Sequence, residues 1–138
     1  MSHFVLDSSV TMAWCFEDEK TTYTEAVLDA VAAGTAVVPS LWTYEILNVL
    51  VIAQRRKRMT QAQALTFWQG LQSFSIQVDD HSAHSGPFAV MSLAEQYQLT
   101  AYDAAYLELA LRTGFALASL DGDLVKAAKA SGVSIACA

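Results

Sequence analysis

Cysteine, basic residues and long apolar runs are all scarce in this chain. Its two cysteines, Cys15 and Cys137, lie far apart, and neither belongs to a CxxC pair. That leaves no disulfide framework and suits a reducing compartment, with both thiols as packing or terminal residues. Hydrophobic residues make up 54% of the sequence, yet no run approaches the ~18 apolar residues of a membrane span. The opening Met-Ser-His-Phe-Val-Leu-Asp7 has neither the basic start nor the apolar stretch of a signal peptide. A soluble, cytoplasmic protein without a membrane partner is expected. Walker, GxSxG and HExxH motifs are absent as well, which removes the commonest nucleotide, serine and zinc chemistries.

Eight basic residues face 14 acids, a net charge of −6, which by itself argues against a polyanionic partner. The distribution argues the other way. Four of the eight are contiguous, Arg55-Arg56-Lys57-Arg58. Setting aside Asp7, Glu45, Asp103, Asp121 and Asp123 leaves nine acids against eight bases, a nearly neutral surface with one basic knot.

The 138 residues suffice for one domain with a real core. Short apolar runs alternate with helical stretches. Strands are expected at His3–Asp7, Ala36–Pro39, Phe74–Val78, Phe115–Ala118 and Val133–Ile135. Helices are expected from Ser8, from about Thr24 to Ala33, and from Leu41 to Lys57. Others should run from Thr60 to Ser73, from Pro87 to Gln98, over 99–112, and from Leu124 to Ala130, with 79–86 as a loop. Alternation of this kind predicts a single α/β domain over 1–138, a three-layer α/β/α arrangement around a central parallel sheet.

Within that frame, acids fall where apolar residues belong. On a helical wheel Asp103 shares a face with Leu107 and Ala110, while Glu108 and Arg112 form an i,i+4 pair on the opposite, outward face. Glu45 shares a stripe with Leu41, Val49 and Ile52, with Asn48 at i+3 beside it. Asp7 and Asp121 follow strands, at the carboxyl edge where open parallel sheets bind ligands. Capping offers an ordinary alternative: Thr100-x-x-Asp103 reads as a capping box, and Asp7, Ser8, Asp121 and Asp123 stand at helix starts. An unpaired carboxylate on an apolar face must nevertheless be protonated, paired or metal-bound. With few bases to pair it, a hard divalent cation is the cheaper partner. Asp and Glu without Cys or His favour Mg²⁺ or Mn²⁺, and the chemistry suggested is metal-dependent phosphodiester hydrolysis.

Four segments, Val5-Leu-Asp-Ser-Ser-Val10, Tyr44-Glu-Ile-Leu-Asn-Val-Leu50, Thr100-Ala-Tyr-Asp-Ala-Ala-Tyr106 and Ala118-Ser-Leu-Asp-Gly-Asp-Leu124, resemble in order and spacing the motifs of PIN-domain ribonucleases, above all VapC-type toxins. The resemblance implies a Mg²⁺- or Mn²⁺-dependent endoribonuclease, a homodimer, inhibited by a small VapB-like antitoxin. It assigns Asp7, Glu45, Asp103 and Asp121 to the acidic quartet, with Asp123 as a fifth acid. Ser119 matches the hydroxyl residue two positions before the last Asp, and Ser8 and Asn48 are supporting residues. Arg55, Arg56, Lys57 and Arg58 are either a hold on the RNA backbone or a solvated helix end. A catalytically inactive PIN-like binding module is an alternative. A receiver-type Mg²⁺ domain fits poorly, since Ser119 and Asp121 stand where its late lysine belongs. Trp14, Phe16, Trp42, Phe67 and Trp68 read as packing residues, and Met59–Ser73 as a dimer or antitoxin surface.

Overall fold

Phe4, Val5 and Leu6 are buried from both sides, and that decides where the first strand lies. In the computed structural model, which describes residues 2–138, β1 (His3–Leu6) sits inside a four-stranded parallel sheet. It is flanked by β2 (Thr35–Pro39) and β4 (Ala116–Ala118), with β3 (Ile76–Asp79) outside β2, giving the order β3-β2-β1-β4. Val5 pairs with Val37 on one side and Leu117 on the other. Continuous burial of these apolar runs is what a parallel sheet covered by helices requires.

The helices are α1 (Ser8–Cys15), α2 (Thr22–Ala33), α3 (Leu41–Arg55), α4 (Gln61–Leu71), α5 (His81–His84), α6 (Pro87–Tyr97), α7 (Ala101–Thr113) and α8 (Gly122–Ala130). Helices α2 and α4 start with complete capping boxes, Thr21 with Thr24 and Thr60 with Gln63. Helix α7 stops at Gly114, whose φ of 75° few other residues adopt without cost. No helix among the described residues is long and apolar enough to cross a membrane. Trp14 and Trp42 lie in the core, their indole N–H groups donating to Thr24 O and Thr11 Oγ1. Phe67 and Trp68 pack against that core from its edge.

Three expectations change. The segment 133–135 adds no fifth strand; Ile135 makes a single parallel bridge to Leu117. The loop 79–86 contains the short helix α5. Glu108 is not a solvent-facing residue. It does lie opposite Asp103, but residues 104–110 are buried all round. Helix α7 is held between the sheet and α5–α6, so it has no wet face along its middle. Glu108 is therefore 5% exposed and accepts hydrogen bonds from Ser82 Oγ and Arg112 Nε. Arg112 reaches on to Asp79 at the end of β3, Nη2 to Oδ2 2.6 Å.

Glu108 is buried while Arg112 is partly in solvent, so removing Arg112 leaves a buried charge uncompensated. Arg112→Ala should therefore destabilise the fold by about 2 kcal/mol in urea unfolding, less than for a wholly buried pair. The double change Glu108→Leu/Arg112→Leu should recover most of that loss, because no buried charge is then left unpaired. A double variant no more stable than Arg112→Ala would show that Glu108 is not the group at stake.

Candidate active site

Asp7 continues β1 by one residue: its N–H donates to Ala118 O at 2.9 Å, which seats it on the carboxyl edge of the sheet. Its carboxylate does not cap α1. Instead Oδ2 accepts two hydroxyls, Ser9 Oγ at 2.7 Å and Ser119 Oγ at 2.6 Å. Those serines are themselves anchored, since Leu120 N–H donates to Ser9 Oγ and Asp121 N–H to Ser119 Oγ. The β1–α1 junction and the turn after β4 are thus stitched together through one carboxylate oxygen. Burial raises the pKa of Asp7, the serine hydroxyls oppose the rise, and the nearby charge of Asp121 adds to it.

Helix α7 brings in Asp103 from the other side. Thr100 caps the helix, its hydroxyl accepting from Asp103 N–H at 3.1 Å. The return bond found at α2 and α4 is not made at α7, so the Asp103 carboxylate is not engaged in capping. Burial, then the charges of Asp121, Asp7, Glu45 and Asp123, push its pKa up to about 6. Asp121 follows the ordinary alternative at one oxygen, Oδ1 accepting from Leu124 N–H at the start of α8. Asp123 is exposed in the first turn of the same helix.

Glu45 sits less deep than its sequence stripe suggests. The buried face of α3 is Trp42, Ile46, Leu50 and Ala53, one residue round from the expected stripe, and Ile52 is exposed. Glu45 lies on the rim, where Tyr106 Oη donates to its Oε1 at 2.6 Å. Burial raises its pKa and the Asp7 charge adds to this, against the Tyr106 and Ser8 hydroxyls. Tyr106 is fully buried, and burial beside Asp7 and Glu45 keeps its phenol protonated and a donor. Sequence reasoning missed Tyr106. The signal was its place three residues after Asp103, on the same side of α7. Asn48 lines a groove next to Glu45.

The basic knot is split and stands apart from the acids. Helix α3 ends with Lys57 in the left-handed region and Arg58 N–H donating to Ala53 O, a Schellman-type stop that turns the chain back. Arg58 then lies over the Phe16 ring, 3.9 Å from its centre, and pairs with Asp18 and Glu19. Arg55, Arg56 and Lys57 remain exposed, about 15 Å or more along α3 from Glu45 at 1.5 Å per residue.

The charges that dominate Asp7, Glu45 and Asp103 are therefore all carboxylates. An oxygen-only donor set under mutual repulsion fits a hard divalent cation. Among the described residues, no three His, Cys, Asp or Glu side chains are gathered tightly enough to form a ready cage.

Asp103 gives a pH signature without metal. Its folded-state value of about 6 lies above the usual ~3.9. The folded chain therefore holds a proton that the unfolded chain releases, and stability from this group is lost as pH rises from about 4 through 6. Asp103→Asn should flatten that part of the melting-temperature profile. It should also stabilise the metal-free protein at neutral pH by on the order of 1 kcal/mol, after solvent screening. An unchanged profile would mean that Asp103 does not share the repulsion.

The PIN domain family model matches residues 4–130. No curated protein matches the chain at a significant level. Among solved structures, one from Pyrobaculum aerophilum, PAE2754, superposes with a TM-score of 0.71 at 24% identity, covering 91% of this chain and 84% of its own. FitAcB from Neisseria gonorrhoeae superposes with a TM-score of 0.57 at 17% identity, covering 96% and 95%. At those identities the structures speak for the fold, and the family match speaks for the lineage. PIN domains are generally nucleases that use divalent metal ions. With four motifs in order and their acids at the carboxyl edge of the sheet, this chain belongs to the PIN domain family.

Proposed function

We propose that the protein is a Mg²⁺- or Mn²⁺-dependent endoribonuclease and the toxin of a type II toxin–antitoxin pair, acting in the cytoplasm. One observation supports the nuclease reading: Asp7, at the carboxyl end of β1, is joined through the Ser119 hydroxyl to the turn that carries Asp121, and Glu45 and Asp103 approach it from α3 and α7. These four would hold the metal, with Asp123 within electrostatic reach. When bound, a divalent ion polarises a phosphate and lowers the pKa of water. The chain's own contribution is orientation. Ser9 and Ser119 fix one oxygen of Asp7, and Tyr106 fixes one of Glu45. The hydroxyls donate without cancelling charge, which preserves the affinity for a cation.

The toxin reading rests on the VapC-like motifs. Its partners would be a small VapB-like antitoxin and a second copy of the chain. Exposed Leu65 on α4, with Phe88 and Met91 on α6, are apolar surfaces such partners would cover.

RNA cleavage should disappear with EDTA and return with Mg²⁺ or Mn²⁺. Asp7→Asn and Asp103→Asn should abolish it without unfolding the protein. Tyr106→Phe should keep the fold and lower Mn²⁺ affinity or cleavage about 10- to 100-fold, the usual effect of losing a partner that orients a ligand. Cleavage at the wild-type rate by Asp103→Asn would end the reading.

If the exposed end of α3 holds phosphates, Arg55→Gln/Arg56→Gln should flatten the log–log salt dependence of RNA binding by roughly one to two units. Arg58→Gln, already committed to Phe16, Asp18 and Glu19, should leave that slope alone. Equal slopes for all three proteins would return the cluster to a solvated helix end.

A further inference from the structure

Tyr23 lies on α2, outside every motif that carries a site acid, yet its hydroxyl reaches the far edge of the sheet. The C-terminal segment flanks β4 there through two backbone bonds, Leu117 N–H to Ser134 O at 2.9 Å and Ala136 N–H to Leu117 O at 2.8 Å. On the other side of β4, Ala118 O accepts from Asp7 N–H. Successive residues of a parallel strand address opposite neighbours, so the next outward bond would run from Ser119 N–H to Ala136 O. Ala136 O instead accepts from Tyr23 Oη at 2.9 Å, across 113 positions of sequence. Burial raises the pKa of Tyr23, and the Ser119 backbone N–H, which bears on the same hydroxyl, opposes the rise. The phenol therefore stands where the third ladder bond belongs. Cys137, at φ 60°, then turns the chain off the edge. That insertion accounts for the single bridge between Ile135 and Leu117 in place of a fifth strand.

We propose that Tyr23 is a positioning residue for the carboxylate site, its hydroxyl fixing the stretch of backbone from which Ser119 reaches Asp7. The proposal rests on the nuclease reading and adds to it a residue that touches none of the four acids. Ser119 is where the chain leaves β4. Its side chain donates to Asp7 Oδ2 at 2.6 Å and accepts from Asp121 N–H at 3.0 Å. Whatever holds the backbone of Ser119 therefore sets the aim of one acid and the place of another. A hydroxyl suits that position because one oxygen both donates and accepts, which neither an amide N–H nor a carbonyl does. A direct bond to Ala136 O would draw Ser119 outward to the C-terminal segment. An inserted hydroxyl spaces the two by a second hydrogen-bond length, about 2.8 Å, and lets the serine side chain stay on Asp7. Phenylalanine at this position would keep the ring in its packing against the core and remove the oxygen alone.

The test uses the full chain and compares wild type, Tyr23→Phe, Ser119→Ala, the double variant and Val27→Ala. Val27 is a fully buried residue one turn further along α2, and its truncation costs stability without touching the turn. The measurements are Mn²⁺ affinity by calorimetry, RNA cleavage, thermal melting, and exchange of the Ser119 amide in the metal-free protein. Tyr23→Phe should weaken Mn²⁺ binding roughly tenfold, the lower end of what losing an orienting partner costs, and should speed exchange of the Ser119 amide. Val27→Ala should lower the melting temperature at least as far and leave Mn²⁺ affinity unchanged. On top of Ser119→Ala, Tyr23→Phe should cost little more affinity, because the route to Asp7 is already gone. Wild-type Mn²⁺ affinity in Tyr23→Phe overturns the proposal, and so does a loss that adds in full to that of Ser119→Ala. An equal loss of affinity in Val27→Ala overturns it as well, since any loosening of α2 would then do the same. The nuclease reading fails separately. Wild type that binds Mn²⁺ but cuts no RNA ends that reading, while the affinities of the variants still decide the role of Tyr23. Wild type that does not bind Mn²⁺ overturns both.

Discussion

Asp7 is 3% exposed, ionisable, and held by two serine hydroxyls on a single oxygen. The architecture of the site follows from that arrangement. A hydroxyl satisfies a buried carboxylate oxygen without adding a positive charge, so it opposes the rise in pKa that burial imposes on Asp7 and leaves the acid's repulsion of its neighbours uncompensated. Because Ser9 and Ser119 are themselves held by backbone N–H groups of the turn after β4, the same contacts that orient Asp7 bring Asp121 beside it. Tyr106 repeats the device at Glu45.

Helix α7 shows the two ways a protein can bury an acid. On one side Glu108 is closed off by Arg112, with Ser82 and Asp79 completing the network. That is a structural solution: charge meets charge, and nothing is left over. On the other side Asp103 meets only like charges, and its pKa rises to about 6. An unresolved repulsion of this kind weakens the fold and would be relieved by a cation, which is the basis of the metal-binding role proposed for Asp103. The two acids are five residues apart on one helix, and their surroundings alone separate the roles.

Helix α3 divides its surface in the same manner. Its inner face of Trp42, Ile46, Leu50 and Ala53 fastens it to the core. The rim offers Glu45 to the cluster, and the outer stripe runs through Tyr44 and Asn48 to Arg55. The left-handed turn at Lys57 ends this stripe and diverts Arg58 towards α1, so four consecutive basic residues serve two different surfaces.

The sequence by itself determined the alternation of strands and helices, the parallel sheet, the order of the acidic motifs and their location at helix starts and strand ends. These are local properties: hydrophobic period, capping residues and turn residues act over a few positions. It also placed Glu108 correctly on the face opposite Asp103. Only the tertiary structure decided that this face is dry, because periodicity separates the two sides of a helix without saying whether a second layer covers both. The same limit hid the commitment of Arg58 to Phe16, the one-residue rotation of the buried stripe on α3, and the reduction of 133–135 to a single bridge. Tyr106 was read as part of a motif, but its bond to Glu45 spans 61 positions. That bond exists because the packing of α3 and α7 against β2 brings two side chains together that no local pattern relates.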